Sequence, residues 1–577
     1  MEKIEKKKYY LFIVLICILI SAPLFAKGFF KTHDGNFHLN RIMGTIESIK
    51  DGQLLTKIIP NFVNGFGYGS NIFYPPISCY LPIILSILTL GNILKSFKLM
   101  ILISIIMSAI NMFNFILDVT KSKKAAILVC LIYITVPYRL IDIYVRMAIG
   151  EILAFAFIPL VFHGLYNIIY CEGKKSYLLI IGAAGILLSH TISTLLIIIT
   201  ALIYILLNME KIIKNKKIVN TLIISCIIII GLVAFFYLPL FEAMMSSEYY
   251  VEYYDNKINL AAHSSYLYEL LMGKMNNNYL FTIFSENKLN SEICLTIGLP
   301  ILIALIFTPF IFKKIRNEFK SLYISTLIIG CISAIATTTI FPWEFFQDTI
   351  LGYIQFPMRM FIITCPTLSI IAGINIYLLL DDKKRLQDIL ILILIIVIYI
   401  QPIINLVNFD INYNNDYASE IEDISTLNTM NSKNCSEFEY LPINAKENFF
   451  SYIKSRDNNA VLLSGEASIQ EQVKDGTTFT AIINNAMQDS VIELPYIYYK
   501  GYVCKLNNDY IEVVESENGM VCINIPKGFE GKITVKYRGT ILSYVSLSIS
   551  ILTLILCIIY YLHINGKLNF YKNKKRS

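Results

Sequence analysis

The sequence predicts a polytopic α-helical membrane protein with an extracytoplasmic β-rich domain. The chain has 577 residues, of which 55% are hydrophobic and only 16% are charged, and its mean hydropathy is +0.59. Soluble domains contain about 25% charged residues, so this composition indicates many membrane-spanning helices. Between residues 405 and 540 the chain becomes polar and the hydrophobic period shortens to two, which is typical of β-strands.

Thirteen apolar stretches are candidate spans. The first follows the lysines of residues 3–8 and is predicted to be a transmembrane helix, because no small-residue cleavage site of a signal peptide follows it. The others lie at about 77–93, 99–117, 125–138, 151–170, 177–189, 191–208, 218–240, 293–312, 321–341, 359–380, 387–404 and 541–562.

Clusters of lysine and arginine separate these stretches and predict the cytoplasmic side of the membrane. The clusters lie at residues 3–8, 121–124, 174–175, 211–217, 313–320, 383–385 and 572–576. The chain must therefore cross an odd number of times between an outer loop at residue 34 and Lys121, although two apolar stretches lie there. The short stretch 77–93, which contains Pro82, is predicted to be re-entrant or interfacial. About twelve crossings remain, with both termini in the cytoplasm.

Three regions follow from this topology. Residues 1–404 form the transmembrane domain, with a first outer loop at 27–76. Residues 405–540 form an extracytoplasmic β-sandwich-like domain, with strands predicted at 478–483, 521–525 and 532–537. Residues 541–577 form the final transmembrane helix and a basic cytoplasmic tail.

Charge and cysteine usage exclude other classes. The net charge of +7 resides in the short clusters between spans, which argues against a nucleic-acid surface. The twelve cysteines are scattered, with no C-x-x-C or zinc-like spacing.

The first outer loop concentrates polar chemistry in an amphipathic segment. From Asp34 to Lys50, apolar residues recur at helical spacing, while Asp34, His38, Arg41 and Thr45 fall on the opposite side. This pattern predicts a helix on the membrane surface. The alternative is that Asp34 only caps the helix and that His38 and Arg41 form its solvated face.

Further ionisable residues lie near the outer ends of predicted spans. Each costs roughly 2.5–3.5 kcal/mol at membrane depth, so such residues predict function unless a local role explains them. Each also has a local explanation, as a hairpin residue, an interfacial side chain or an ion pair. Their common side of the membrane predicts that six of them border one cavity at the outer face. These six are His33, Asp34, Arg146, Glu151, His190 and Arg359, and Arg139 and Asp142 lie nearby in the sequence.

Several motifs occur in a fixed order. They are H-D-G-N-F-H-x-x-R from His33, G-F-G-Y-G-S-N-I-F-Y-P-P from Gly65 through Tyr74, D-x-Y-V-R-M-A-I-G-E from Asp142, L-S-H from Leu188 and Q-F-P-M-R from Gln355. In this order the chain resembles bacterial 6-pyruvoyl-tetrahydropterin synthase-related membrane proteins and YfhO-like proteins, and both resemble the GT-C superfamily of polytopic glycosyltransferases. The segments 494–502 and 536–540 also look YfhO-like.

The resemblance implies an inverting glycosyltransferase that moves a sugar from a polyprenyl-phosphate donor to an envelope glycan, lipid or protein acceptor at the outer membrane face. Asp34 matches the first-loop acid, with His38 and Glu151 as further catalytic candidates. Arg146, His190 and Arg359 are the candidates for binding the donor phosphate. His33, Arg41 and Tyr74 are supporting residues. A single Asp34 replaces the acidic pair of many GT-C enzymes, so a divalent cation is possible but not required.

Two other functions compete with this one. A lipid-linked saccharide transporter would also need polar residues at helix ends, but no inverted repeat is visible. A non-catalytic envelope assembly protein would work through its outer domain. The sugar, the acceptor and the linkage are not encoded in any motif.

Overall fold

The structure is a computed structural model that describes residues 2–25, 28, 32–253, 259–272, 296–380, 383, 385–393, 438–445, 449–456, 458–484 and 488–564. Its helices are α1 (Glu2–Ile20), α2 (Gly35–Lys50), α3 (Ser70–Phe73), α4 (Ile77–Leu85), α5 (Ile93–Thr120), α6 (Lys123–Thr135), α7 (Pro137–Ile141), α8 (Ile149–Tyr170), α9 (Tyr177–Leu187), α10 (Thr191–Leu207), α11 (Met209–Ile213), α12 (Lys216–Ser246), α13 (Tyr250–Tyr253), α14 (Leu267–Met272), α15 (Leu299–Ile306), α16 (Thr308–Ile311), α17 (Asn317–Ile335), α18 (Phe361–Leu379), α19 (Phe449–Ser455) and α20 (Ile541–Ile564).

The protein is a polytopic membrane protein. Six helices in the described part of the chain are long and apolar enough to cross a membrane: α5, α8, α12, α17, α18 with the turn before it, and α20. A seventh span is present if α6 and the segment Pro137–Arg146, which bend by 47° at their junction, are counted as one. The predicted span at 387–404 is described only to residue 393, where it is helical from residue 385.

The apolar stretch 77–93 contains a short helix. α4 has nine residues with Pro82 inside it, which corresponds to about 14 Å, less than half the hydrocarbon thickness of a bilayer. A turn then reverses the chain, with Leu90 and Gly91 in the left-handed region at φ 54° and 83°. α4 is therefore too short to span a membrane alone, and the re-entrant or interfacial placement of 77–93 stays a prediction.

The chain divides into two compact units. The first comprises Met1–Leu39, Ile77–Ser225 and Asp255–Asn428, and contains most of the candidate spans. α8 is the most deeply buried of them, with 94% of its apolar window inside the protein. A serine of α5 links that helix to α8, since the Ser104 hydroxyl donates to the Ile152 carbonyl at 2.7 Å.

The second unit comprises Asn40–Pro76, Cys226–Tyr254 and Thr429–Ser577. It contains two antiparallel sheets with strand orders β1-β4-β8-β7 and β2-β3-β9-β5-β6. The strands are β1 (Val461–Ser464), β2 (Ser468–Asp475), β3 (Thr478–Asn484), β4 (Ser490–Ile497), β5 (Tyr502–Leu506), β6 (Asp509–Ile511), β7 (Val513–Glu515), β8 (Met520–Ile525) and β9 (Gly531–Tyr537). A β-rich region towards the C-terminus is thus confirmed, whereas the predicted boundary at residue 405 lies outside the described residues.

The loop after α2 packs against these sheets within the second unit. The Asp51 carboxylate accepts hydrogen bonds from the Thr477 backbone N–H at 3.1 Å and the Thr477 hydroxyl at 2.5 Å. The Ile497 N–H donates to the Phe66 carbonyl at 3.0 Å. Gly69 has no room for a side chain, because a Cβ there would lie 2.5 Å from the Tyr499 ring.

Candidate active site

The start of α2 is fixed by backbone hydrogen bonds in the first unit. The His33 N–H donates to the Val145 carbonyl at 3.0 Å, and the Asp34 N–H donates to the Arg146 carbonyl at 2.9 Å. The Gly35 N–H is satisfied by the Thr32 hydroxyl at 3.1 Å. These bonds hold Asp34 beside residues 145–146, more than a hundred positions away in sequence.

The Asp34 side chain is half-buried and accepts no hydrogen bond from any residue that the structure describes. It therefore does not cap α2, which was the structural alternative for this residue. Burial raises the pKa of Asp34, while the positive charges of Arg146 and Arg359 oppose the rise. The carboxylate thus lies near two guanidinium groups, and the described residues leave its hydrogen-bonding capacity unused.

Arg146 and Glu151 meet across a sharp turn. Arg146 ends the π-helical turn Asp142–Arg146, and Met147 follows with a left-handed backbone at φ 57°. α8 begins two residues later, so Glu151 in its first turn folds back on Arg146. Arg146 Nη2 donates to Glu151 Oε1 at 3.1 Å and Nη1 donates to Oε2 at 3.2 Å, a bidentate pair.

Arg359 joins the same carboxylate from the segment before α18. Its Nε donates to Glu151 Oε1 at 3.2 Å, and its Nη1 donates to the Ile354 carbonyl at 2.9 Å and to Gln355 Oε1 at 2.6 Å. Its Nη2 has no hydrogen-bond partner within the described ranges, and 12% of the side chain is exposed. Glu151 itself is completely buried. Arg359 can therefore donate to a ligand through Nη2, while its Nε is hydrogen-bonded to Glu151.

Two further residues complete the cluster. The Tyr138 hydroxyl donates to Glu151 Oε2 at 2.5 Å and accepts from Arg146 Nη1 at 2.9 Å, and its ring stacks on Phe361. Asp142 Oδ1 accepts from Arg146 Nη1 at 3.0 Å. Sequence reasoning did not single out Tyr138, because a tyrosine in an apolar run is usually a core residue. Its position one helical turn before Asp142 is the signal that could have identified it.

Arg139 lies apart from this cluster, deep among helices of the first unit. The residue is 1% exposed, and its guanidinium donates to the Ser108 hydroxyl at 3.1 Å and lies 4.7 Å from the centres of both the Tyr133 and Phe155 rings. These cation–π contacts stabilise the buried charge. Arg139 therefore serves the packing of the bundle.

His190 contacts the start of α8 in the first unit. It caps α10: its Nδ1 accepts from the Ser193 N–H at 3.2 Å and lies 2.7 Å from the Ser193 hydroxyl. A Cβ on Gly150, next to Glu151, would lie 2.7 Å from the His190 ring. Burial lowers the pKa of His190 to about 3, so the ring is neutral, and acceptance at Nδ1 leaves its proton on Nε2.

The remaining predicted residues are distributed over both units. His33 is exposed, and His38 is 3% exposed one turn along α2, with its ring 5.3 Å from that of Phe37. Arg41 and Tyr74 belong to the second unit, where the Arg41 guanidinium lies 4.0 Å from the centre of the Tyr74 ring. Arg41 is 1% exposed, so the alternative in which His38 and Arg41 form a solvated helix face is wrong.

The structure thus brings Asp34, Arg146, Glu151 and Arg359 together and places His190 against the residue beside Glu151. The cavity predicted for them stays a prediction. Among the described residues, no group of three or more His, Cys, Asp or Glu side chains is arranged to hold a metal ion.

The fold and this cluster define a polytopic membrane protein with a buried arginine–carboxylate site and a C-terminal β-rich region. The chain is similar to an uncharacterized protein of Lactococcus lactis subsp. cremoris (strain MG1363), with 26% identity over 630 residues that cover 96% of this chain and 98% of that protein. No protein-family model matches the chain.

Proposed function

We propose that the protein is a membrane glycosyltransferase of the GT-C type, related to YfhO-like proteins, which moves a sugar from a polyprenyl-phosphate donor to a cell-envelope acceptor. The observation that carries the proposal is a carboxylate near an arginine, each with hydrogen-bonding capacity that the described residues leave unused. Asp34 accepts no hydrogen bond from the described residues, and Nη2 of the neighbouring Arg359 donates none.

Inverting transfer needs these two groups. The acceptor hydroxyl attacks the anomeric carbon of the sugar, the bond from that carbon to the phosphate oxygen breaks, and the electron pair leaves with the lipid phosphate. Asp34 accepts the proton of the attacking hydroxyl. Arg359 stabilises the negative charge that develops on the departing phosphate.

The other cluster residues position these groups. Glu151 is sealed in contacts with Arg146, Arg359 and Tyr138, so it acts as a fixed counter-ion that orients both arginines rather than as a second acid. The Nε2–H of His190 is a donor that can bind a phosphate or sugar oxygen. His38 remains a candidate proton acceptor one turn from Asp34.

The proposed topology has about twelve crossings, a re-entrant segment at 77–93 and both termini in the cytoplasm. It rests on the basic clusters between the spans. In this arrangement the site faces the outside of the cell, where polyprenyl-phosphate donors meet envelope acceptors.

The proposal is tested with purified protein in proteoliposomes. Polyprenyl-phosphate donors carrying different radiolabelled sugars are offered together with envelope extracts, and formation of labelled acceptor is measured. Label transfer by the wild type and not by Asp34→Asn is the expected result. No transfer from any donor, together with donor translocation across the bilayer, would contradict the transferase and favour the lipid-linked saccharide transporter.

A further inference from the structure

The segment between α17 and α18 is built from short 3₁₀ turns held in place from inside the first unit. Trp343 in the turn Trp343–Phe345 is 1% exposed, and its Nε1–H donates to the Ala336 carbonyl at 2.8 Å. Gln347 Oε1 accepts from the Leu260 N–H at 3.0 Å. These contacts make the backbone of the segment a defined surface.

Large apolar side chains nevertheless project from this surface. Phe345 is 82% exposed, Ile350 is 61% exposed and Tyr353 is 73% exposed. The exposed residues Ile332 and Ile335 at the end of the candidate span α17 lead into the segment. Apolar exposure of this kind at the end of a span indicates contact with lipid chains.

The same segment holds Arg359. Ile350 and Tyr353 belong to the 3₁₀ turn Ile350–Ile354, whose last carbonyl accepts from Arg359 Nη1 at 2.9 Å. The Phe356 ring centre lies 5.6 Å from the same guanidinium. An open cationic donor and an exposed apolar ridge therefore occur within one short stretch of chain, which matches a ligand with a charged head and an apolar tail.

We infer that Ile350 and Tyr353 contact the isoprenoid chain of the donor whose phosphate binds Arg359. This inference rests on the proposed function and deepens it, because it makes the lipid chain a determinant of donor specificity. Lipid acyl chains are as apolar as the ridge, so the gain comes from packing against a fixed surface rather than from removal of water. A long chain can cover the whole of this ridge, whereas a short prenyl chain has fewer apolar groups to place on it.

The test compares donors of two chain lengths that carry the same sugar. In Ile350→Ser/Tyr353→Ser we expect the KM for the undecaprenyl donor to rise about three- to tenfold, the size expected for losing a modest packing contact. The KM for a citronellyl donor should change less. Leu88→Ser/Leu90→Ser, which removes side chains that are 72% and 97% exposed elsewhere in the first unit, is the matched control and should alter neither value. Equal effects on both donors, or none on either, would overturn the inference.

A second measurement does not depend on sugar transfer. A diazirine-bearing undecaprenyl phosphate should crosslink to the turn Ile350–Ile354, and unlabelled undecaprenyl phosphate should compete, whereas a diazirine phospholipid should label it weakly. Crosslinking of this kind without any transfer would support the lipid contact while removing the proposed function. Equal labelling by the phospholipid would show a general bilayer contact and overturn the inference. If the double variant of the kinetic test does not fold, single variants at Ile350 or Tyr353 replace it.

Discussion

The two carboxyl groups that flank Arg146 have different surroundings. Glu151 accepts from Tyr138, from both terminal nitrogens of Arg146 and from Arg359. Asp142 accepts one hydrogen bond, and its buried Oδ2 has no partner within the described residues. A buried charge is stabilised only when it is paired and hydrogen-bonded, so Glu151 is the main counter-ion of the cluster.

Glu151→Gln should therefore be more harmful than Asp142→Asn. The first change leaves the buried guanidinium of Arg146 and the partly exposed one of Arg359 without their shared counter-ion, and we expect it to destabilise the protein by about 3–5 kcal/mol. The second removes one charge-assisted hydrogen bond, worth about 1.5–3 kcal/mol at most. Thermal unfolding of both variants in the same detergent shows which one loses more stability. A larger loss of stability in Asp142→Asn would contradict the assignment of Glu151 as the main counter-ion.

Asp34→Asn should abolish sugar transfer while leaving the protein folded. The amide keeps the shape of the side chain, and the structure gives the carboxylate no hydrogen bond within the described residues that would be lost. The amide cannot accept a proton, and loss of a general base lowers the rate by about 10² to 10⁴. Transfer assays with thermal unfolding as the control decide this. An unchanged rate would eliminate Asp34 as the base.

The rate should also depend on pH through Asp34. Burial raises the pKa of this carboxyl above its ordinary value of 3.8, so as pH falls through the raised pKa the base becomes protonated and activity declines. The acidic limb of kcat/KM should therefore lie above pH 3.8. His33→Gln controls for the neighbouring exposed imidazole and should leave the limb in place. If the acidic limb shifts in His33→Gln, the titrating group is the His33 imidazole and not Asp34.

Part of the site could be predicted from residue type alone. Ionisable side chains in apolar surroundings predicted Asp34, Arg146, Glu151 and Arg359, because burial without partners is costly. The sequence could not show that Glu151 is enclosed by two arginines and a tyrosine. That arrangement depends on a π-helical turn and a left-handed Met147, neither of which has a signature in residue spacing.

At the scale of elements, glycines determine how α8 packs on its neighbour α9. A Cβ on Gly164 would lie 2.3 Å from the Leu179 nitrogen, and one on Gly182 would lie 2.7 Å from the Val161 nitrogen. Both contacts are with backbone, which cannot move aside as a flexible side chain can. Small residues permit this close approach of helices in membranes.

Gly164→Ala should therefore separate α8 from α9. We expect a destabilisation of about 1–3 kcal/mol, the usual cost of overpacking, measured as a lower unfolding temperature in detergent. Ile181→Ala, at a half-exposed position of α9, is the control and should have little effect. Equal stability of Gly164→Ala and the wild type would mean that the helices are further apart than the structure has them.

The predicted helices and strands match the structure where the apolar residues follow the period of the element, and differ where they do not. The strands predicted at 478–483, 521–525 and 532–537 match β3, β8 and β9, whose residues alternate or are continuously apolar. β2 was missed because its sequence SIQEQVKD is mostly polar and its side chains are mostly exposed. The stretch 125–138 was predicted as one helix, but Pro137 ends the hydrogen-bonded run and the chain bends by 47°.

At the scale of the whole molecule, the basic clusters are the signal that predicts the orientation of the chain. Lysine and arginine near the ends of spans stay on the cytoplasmic side. Ser122 lies between α5 and α6, with lysines on both sides of it, whereas His33 and Asp34 lie before α2. Since α20 is long and apolar enough to cross a membrane, we expect the β-rich region before it and the basic tail after it on opposite sides.

Cysteine labelling in intact cells tests this orientation. In a background that lacks the twelve native cysteines, His33→Cys and Asp509→Cys, both at exposed positions, should react with a membrane-impermeant maleimide. Ser122→Cys should react only after the membrane is permeabilised, because three lysines surround it and the cost of translocating them opposes the reverse orientation. Labelling of residue 122 from outside would invert the topology and move Asp34 to the cytoplasmic face. The donor would then have to be a cytoplasmic one, and the outer-face transferase would fail even if the arginine–carboxylate cluster were intact.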